Sequence, residues 1–211
     1  MPTAVEHPVF SRVYKMVSSW QDAVGGKTHR KKMLSGLEGR VIEVGSGPGM
    51  NFAHYPTAVT SVVAIEPEAH MRKMSSEAAR QAPVPVELRE GAADSLPADD
   101  ASFDAGVSSF VMCSVPDSSA ALSEMFRVIR PGGELRFYEH VRAFHAPLDT
   151  LQDLANLWWP KVGGGCNCNR DTLAAIQAAG FQVQECRRFY FLPCPLVAPV
   201  APLILGRALR P

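Results

Sequence analysis

The sequence predicts an α/β fold: a seven-stranded, mostly parallel sheet with helices on both faces and an antiparallel last strand. Three features carry this reading. Val41, Ile42 and Val44 form a short apolar, β-branched run that suits a buried parallel strand, and a turn with Gly45, Gly47 and Gly49 follows at once. Strand-like and helical patterns then alternate through residue 179. Two more strand-like runs, 181–188 and 203–210, close the chain and read as antiparallel. A chain of 211 residues suits one such domain with a sizeable core.

Val9, Val13, Met16, Val17 and Trp20 recur near helical spacing, so residues 8–24 read as an amphipathic helix ended by Gly25-Gly26. A short basic helix over 27–34 leads to the first strand. Residues 1–38 thus form a helical segment ahead of the domain proper at 39–211. Phe10 and Tyr14 serve there either as core or as a lid that keeps water from a site. The helix after the glycine turn is stunted, because 51–55 runs into Pro56. Residues 59–66 form the second strand. Residues 68–81 form a helix with Ala69, Met71, Met74, Ala78 and Ala79 on its apolar side. Residues 84–88 form a third strand, placed at an edge because it carries Pro85. Residues 103–110 form the fourth strand, and Asp117 caps a helix over 118–128. Arg130-Pro131-Gly132-Gly133 is a stop and turn before the fifth strand at 134–140. Residues 142–168 leave the pattern as an insertion on the acceptor side, with an extra helix at 148–159 and a flexible loop at 163–168. Asn169 caps a last helix over 170–179, which Gly180 ends.

Bulk properties remove several functions. Lys and Arg total 21, as do Asp and Glu, so the formal net charge is zero and no basic field awaits a nucleic acid. Residues 1–10 lack the basic start and apolar core of a secretory leader. Five irregularly spaced cysteines fit a reducing cytoplasm better than a disulfide framework. Cys166 and Cys168 with a distant Cys194 lack standard zinc spacing, so no metal site is expected. Residues 189–206 are nearly all apolar, but Pro193, Pro195, Pro199 and Pro202 would break a membrane-spanning helix. That stretch suits a pocket wall or a homodimer surface.

The glycine turn is where an open α/β sheet binds a nucleotide. A dinucleotide fingerprint needs a glycine where Met50 stands. Glu43, directly before the turn, repels a pyrophosphate and welcomes a cationic ligand. Glu66, at the end of the next strand, can accept both hydroxyls of a ribose.

Several stretches together resemble the class I S-adenosylmethionine (SAM) methyltransferases over about 40–210. They are Glu-Val-Gly-Ser-Gly-Pro-Gly-Met-Asn-Phe at 43–52, Phe-Val-Met-Cys-Ser-Val at 110–115, Arg-Val-Ile-Arg-Pro-Gly-Gly at 127–133, Glu-His-Val at 139–141 and Gly-Cys-Asn-Cys-Asn-Arg-Asp-Thr at 165–172. Within that class the chain is similar to the methyltransferase-like 7 (thiol methyltransferase) group and its bacterial relatives. The animal members carry an N-terminal apolar anchor that this sequence does not show. The resemblance implies a Rossmann-like sheet and SAM as cofactor. It implies contacts at Gly45, Gly47 and Gly49, at Glu66 for the ribose, at Ala93 and Asp94 near adenine, and around Ser109. Glu43, Ser46, Asn51, Pro67, Met71, Ala92 and Phe110 complete the expected cofactor set.

Methyl transfer from SAM is an in-line displacement, so a protein mainly positions the nucleophile and can remove its proton. His140, at the ligand edge of the fifth strand, is read either as that base or as a residue holding the strand end. An imidazole of pKa ~6.5 takes a proton more readily from a thiol of ~8.5 than from a phenol of ~10. Tyr14, Cys113, Trp158, Cys166 and Asn167 are expected on the acceptor side. Ser109-Phe110-Val111 stands where nucleobase and amide-nitrogen methyltransferases carry Asn-Pro-Pro-Tyr or Asp-Pro-Pro-Tyr, and no acid pair suggests a magnesium-dependent catechol site. A small neutral or apolar acceptor remains, with a thiol favoured by resemblance and oxygen or nitrogen left open. The alternatives are an NAD-dependent oxidoreductase and a non-catalytic SAM-binding module.

Overall fold

The computed structural model describes residues 8–211, with side chains from Tyr14 onward except that of Leu196. The absent leader read from residues 1–10 lies largely outside the described residues, as do the side chains of Val9, Phe10 and Val13.

Two helices open the described chain, α1 (Pro8–Gln21) and α2 (Lys27–Leu34). Seven strands follow: β1 (Gly39–Val44), β2 (Val59–Ile65), β3 (Val86–Arg89), β4 (Phe103–Ser109), β5 (Ile129–His140), β6 (Gln182–Tyr190) and β7 (Pro202–Leu209). They form one sheet in the order β3-β2-β1-β4-β5-β7-β6. The pairs from β3 through β5 are parallel, and β7 runs antiparallel to both β5 and β6. Strand order reverses between β1 and β4, and the crevice at the carboxyl ends of those strands is where such sheets take ligands.

Alternation along the strands divides the core. Val41, Val62 and Val107 pack on one face with Met33 and Leu34 of α2. Ala78 and Ala79 of α3 (Ala69–Arg80) close that face. Ile42, Val44, Val63 and Ile65 point to the other face. There they meet Leu122 and Met125 of α4 (Ser118–Val128) and Ile176 of α7 (Thr172–Ala178). Between them lie the short helices α5 (Leu148–Ala155) and α6 (Trp159–Val162).

Five details depart from expectation. Gly25-Gly26 does not end the first helical segment: a wide π-type turn over Asp22–Gly26 carries α1 into α2, with Gly25 at φ +129°. Tyr14 and buried Ser18 face inward from α1, while Met16, Val17 and Trp20 face out, so the apolar stripe read there is not the core face. The Arg-Pro-Gly-Gly turn lies inside β5 as a bulge, and the register jumps from Phe103 opposite Ile129 to Ala105 opposite Glu134. A side chain at Gly133 would lie 2.6 Å from the Asp104 carbonyl, so only glycine lets the strand return to its neighbour. Finally, α7 is capped by Asp171, which accepts from the Ala174 N–H, whereas Asn169 donates to Asp153. The extra helix read over 148–159 breaks between α5 and α6 just before Pro160.

Candidate active site

The glycine turn hangs on the end of β2. The Gly45 and Ser46 amides both donate to the Ile65 carbonyl, at 2.8 and 3.1 Å. Gly45 has φ +65°, and a Cβ there would lie 2.6 Å from Val111. Gly47 has φ +52°, and a Cβ there would meet only the Tyr14 ring, at 3.8 Å, so the backbone lies open toward a ligand. Gly49 packs against Phe52. The Ser46 hydroxyl is buried with no hydrogen-bond partner among the described residues.

Glu66 closes the turn from the β2 side. One carboxylate oxygen accepts from the Gly47 N–H at 2.8 Å and the other from the Glu68 N–H at 3.0 Å. Burial pushes its carboxyl up from the ordinary value. Glu43 is more deeply placed. Its oxygens accept from Asn51 Nδ2 at 2.9 Å and from the Tyr55 hydroxyl at 2.6 Å, and burial raises its pKa to about 7. Sequence reading set this acid directly against a cation. The structure gives both its oxygens protein partners, although Glu43 still lines the same pocket as Tyr14, Ser46, Gly47, Asn51 and Ser109.

Arg30 of α2 also lines that pocket and was not singled out in the sequence. It is buried, and it donates to Asp22 at 2.9 Å, Asn51 Oδ1 at 3.0 Å and Ser109 Oγ at 3.1 Å. Nothing in a basic eight-residue helix marks one arginine as interior. Tyr14 of α1 lies over the same loop, hydrogen-bonded to Ser18, and burial pushes its phenol up.

Ala92, Ala93 and Asp94, which the sequence reading set near adenine, occupy the turn after β3, with Ala92 and Asp94 exposed. Pro67 is exposed at the end of β2, and Met71 is buried on α3.

The loops at the ends of β4 and β5 are built on Glu139, a second residue whose role was not foreseen beyond its place in the Glu-His-Val stretch. Fully buried, it accepts from Ser108 Oγ at 2.5 Å and from the Val111 and Met112 amides at 3.0 and 3.2 Å. Burial holds its carboxyl at about 6. This clamp fixes the loop after β4, where Phe110 has φ +60°, unusual for a bulky residue. The Phe110 ring stacks on His140 with centroids 4.4 Å apart. His140 Nδ1 lies 3.7 Å from Cys113 Sγ and 3.8 Å from Cys166 Sγ. The neighbouring Cys166 thiol and burial hold the Cys113 thiol well above its usual range. Asn167 joins the two loops, its N–H donating to the Cys113 carbonyl at 2.7 Å. Gln152 latches the insertion: its amide nitrogen donates to the carbonyls of Val141, Cys168 and Pro199. Trp158 faces solvent at 51% exposure, a correction to its expected place in the pocket. Trp159 instead packs against the buried cluster that includes Cys113, Cys166 and Cys168, with its indole N–H buried and without a partner among the described residues. The break in the helix between α5 and α6 separates the two indoles, the first exposed and the second half-buried.

Residues 42–137 match the family model described as a methyltransferase domain. Human thiol S-methyltransferase TMT1B is 32% identical over 186 residues, covering 85% of this chain and 75% of that relative. The chain belongs to the class I SAM-dependent methyltransferases. A phosphatidylethanolamine N-methyltransferase of Cereibacter sphaeroides is 34% identical over 155 residues, 70% of this chain and 76% of that relative. Among solved structures, a SAM-dependent methyltransferase of Thermotoga maritima superposes with a TM-score of 0.69 at 21% identity, covering 97% of this chain and 100% of that one. That likeness speaks for the fold. As a member of this family the chain is a methyltransferase with SAM as its methyl donor. The oxidoreductase alternative falls away. The open backbone at Gly47 and the unpartnered Ser46 hydroxyl fit a ligand that lies along the turn. Among the described residues, no helix is long and apolar enough to cross a membrane.

Proposed function

We propose that this methyltransferase methylates the sulfur of a small-molecule thiol. The observation that carries the reading is the placement of His140 between two buried thiols at the end of β5, stacked on the Phe110 ring. Bound SAM supplies an electrophilic methyl group. Glu43, Gly45, Ser46, Gly47, Gly49, Asn51, Ser109 and Phe110 form its methionine side. Glu66 and Pro67 receive its ribose, and Met71, Ala92, Ala93 and Asp94 flank its adenine. Tyr14 and the N-terminal helices cover it as a lid, and Asn167 shapes the acceptor pocket opposite.

The pocket favours sulfur on physical grounds. Glu139, the nearest buried carboxylate, has its oxygens engaged by the loop amides, so His140 is the group left to take the acceptor's proton. Imidazole is a closer match to a thiol of ~8.5 than to a phenol of ~10. The human relative's thiol specificity agrees, while the Cereibacter relative keeps nitrogen methylation as the second reading. Five free cysteines suit a reducing cytoplasm, where we place the protein.

A panel of small thiols, phenols and amines with methyl-labelled SAM tests this. Label on thiols is expected, and label on phenols or amines with none on thiols rejects the reading. His140→Ala is expected to lower kcat by roughly 10²–10⁴-fold with SAM affinity nearly unchanged. Equal losses in turnover and SAM affinity would reject the base role.

A further inference from the structure

Cys113, His140 and Cys166 come from three separate elements: the loop after β4, the end of β5 and the loop before α7. Their Sγ, Nδ1 and Sγ atoms all lie within 4.8 Å of one another. A tetrahedral ion with bonds of about 2.3 Å to sulfur and 2.0–2.1 Å to nitrogen separates sulfur from nitrogen by about 3.5–3.6 Å and sulfur from sulfur by about 3.8 Å. The two sulfur–nitrogen distances here are 3.7 and 3.8 Å. We propose that these three side chains bind a thiophilic divalent cation of the Zn²⁺ type.

Three further observations support the assignment. Both cysteines are buried, so the ion is shielded from bulk water on the protein side. The ligand loops are already held: Glu139 fixes the 110–113 turn, and Asn167 ties Cys166's loop to the Cys113 carbonyl. The set contains no carboxylate oxygen, which disfavours Mg²⁺ and Ca²⁺ and favours zinc-like ions. The sequence led to the expectation of no metal site, because Cys166, Cys168 and Cys194 lack standard zinc spacing. The fold replaces Cys168, whose thiol faces the Gln152 carbonyl and Asn156, with Cys113 and His140.

Three protein ligands leave one tetrahedral position open, as in catalytic zinc sites. If the thiol reading above holds, the acceptor enters there as a thiolate and releases its proton to solvent. A sulfur lone pair then forms the new S–CH₃ bond as the methyl–sulfonium bond of SAM breaks, and its electrons stay on the departing S-adenosylhomocysteine. His140 Nδ1 is the proton acceptor in the ion-free protein; in the loaded protein it is a ligand, and the ion takes over the task of holding the acceptor as a thiolate. This consequence rests on the thiol reading; the ion site does not.

The test is titration of the reduced full-length protein with Co²⁺, read by its thiolate-to-cobalt absorption, with Zn²⁺ competition and circular dichroism as a folding control. One equivalent is expected to bind and to be displaced by Zn²⁺. Cys113→Ser, Cys166→Ser and His140→Ala are each expected to weaken it by at least roughly 10–100-fold, the range that even outer-shell partners command. Cys186→Ser, outside the cluster, is expected to bind as the parent does. No thiolate band in the folded parent protein overturns the proposal, as does a band that survives in folded Cys113→Ser. A parent that binds Co²⁺ yet methylates no thiol leaves the ion site standing and rejects the thiol reading.

Discussion

Glu43 stands at the carboxyl end of β1 with both oxygens turned to Asn51 and Tyr55, and burial raises its pKa to about 7 from the ordinary 4.5. Between those values the folded chain binds more protons than the unfolded one. Stability contributed by this group therefore falls as pH rises from about 4.5, and the loss is complete above about 7. Glu43→Gln removes that titration. Its unfolding free energy relative to the parent is expected to rise by on the order of 1–3 kcal/mol between about pH 5 and about pH 8. Urea unfolding at the two pH values checks this, since Glu139 titrates alike in both proteins. A constant difference would show that Glu43 is ionised throughout. Its position before the glycines was legible in the sequence. Its partners were not, because Asn51 and Tyr55 return to it only through the tight turn.

At the scale of elements, α2 is docked by its arginine and by its carboxyl end. Arg30 reaches Asp22, Asn51 and Ser109, and Arg136 of β5 donates to the Met33 and Ser35 carbonyls that end the helix. The N-terminal helices thus rest on the cofactor turn through a few charge-assisted bonds. Arg30→Met keeps the apolar stem and removes those bonds. SAM affinity is expected to fall by roughly 1–3 kcal/mol by calorimetry, with faster proteolytic cleavage between α1 and α2. Unchanged affinity and protection would mean that the helices are held by packing alone. Helix existence was readable from periodicity, and Asp117 announced the start of α4. The direction α1 faces was not readable, because Met16, Val17 and Trp20 make a better stripe than Tyr14 and Ser18, which face inward.

At the scale of the molecule, the sheet sets the carboxyl ends of β1, β2, β4 and β5 side by side, which brings Glu43, Glu66, Ser109 and His140 to the same end of the sheet. Ligand bound only by the native state stabilises by mass action. SAM at a hundredfold above its Kd adds about 2.7 kcal/mol, which for a chain of this size raises Tm by roughly 5–10 °C. Scanning calorimetry is expected to show that shift with SAM and none with NADH. A shift with NADH alone would contradict the family's donor.

The sequence by itself determined the α/β class, the seven strands, the glycine turn with its flanking acids and the family. These are local matters: β-branched runs, glycine spacing and caps act within a few residues of themselves. Only the tertiary structure decided that Arg30 and Glu139 are interior, that Trp159 and not Trp158 packs against the cluster of cysteines, and that Cys113 and Cys166 share His140. Those facts depend on which loops the sheet order brings together across 26 to 79 residues of chain. No spacing along the chain records a meeting that is made by crossovers.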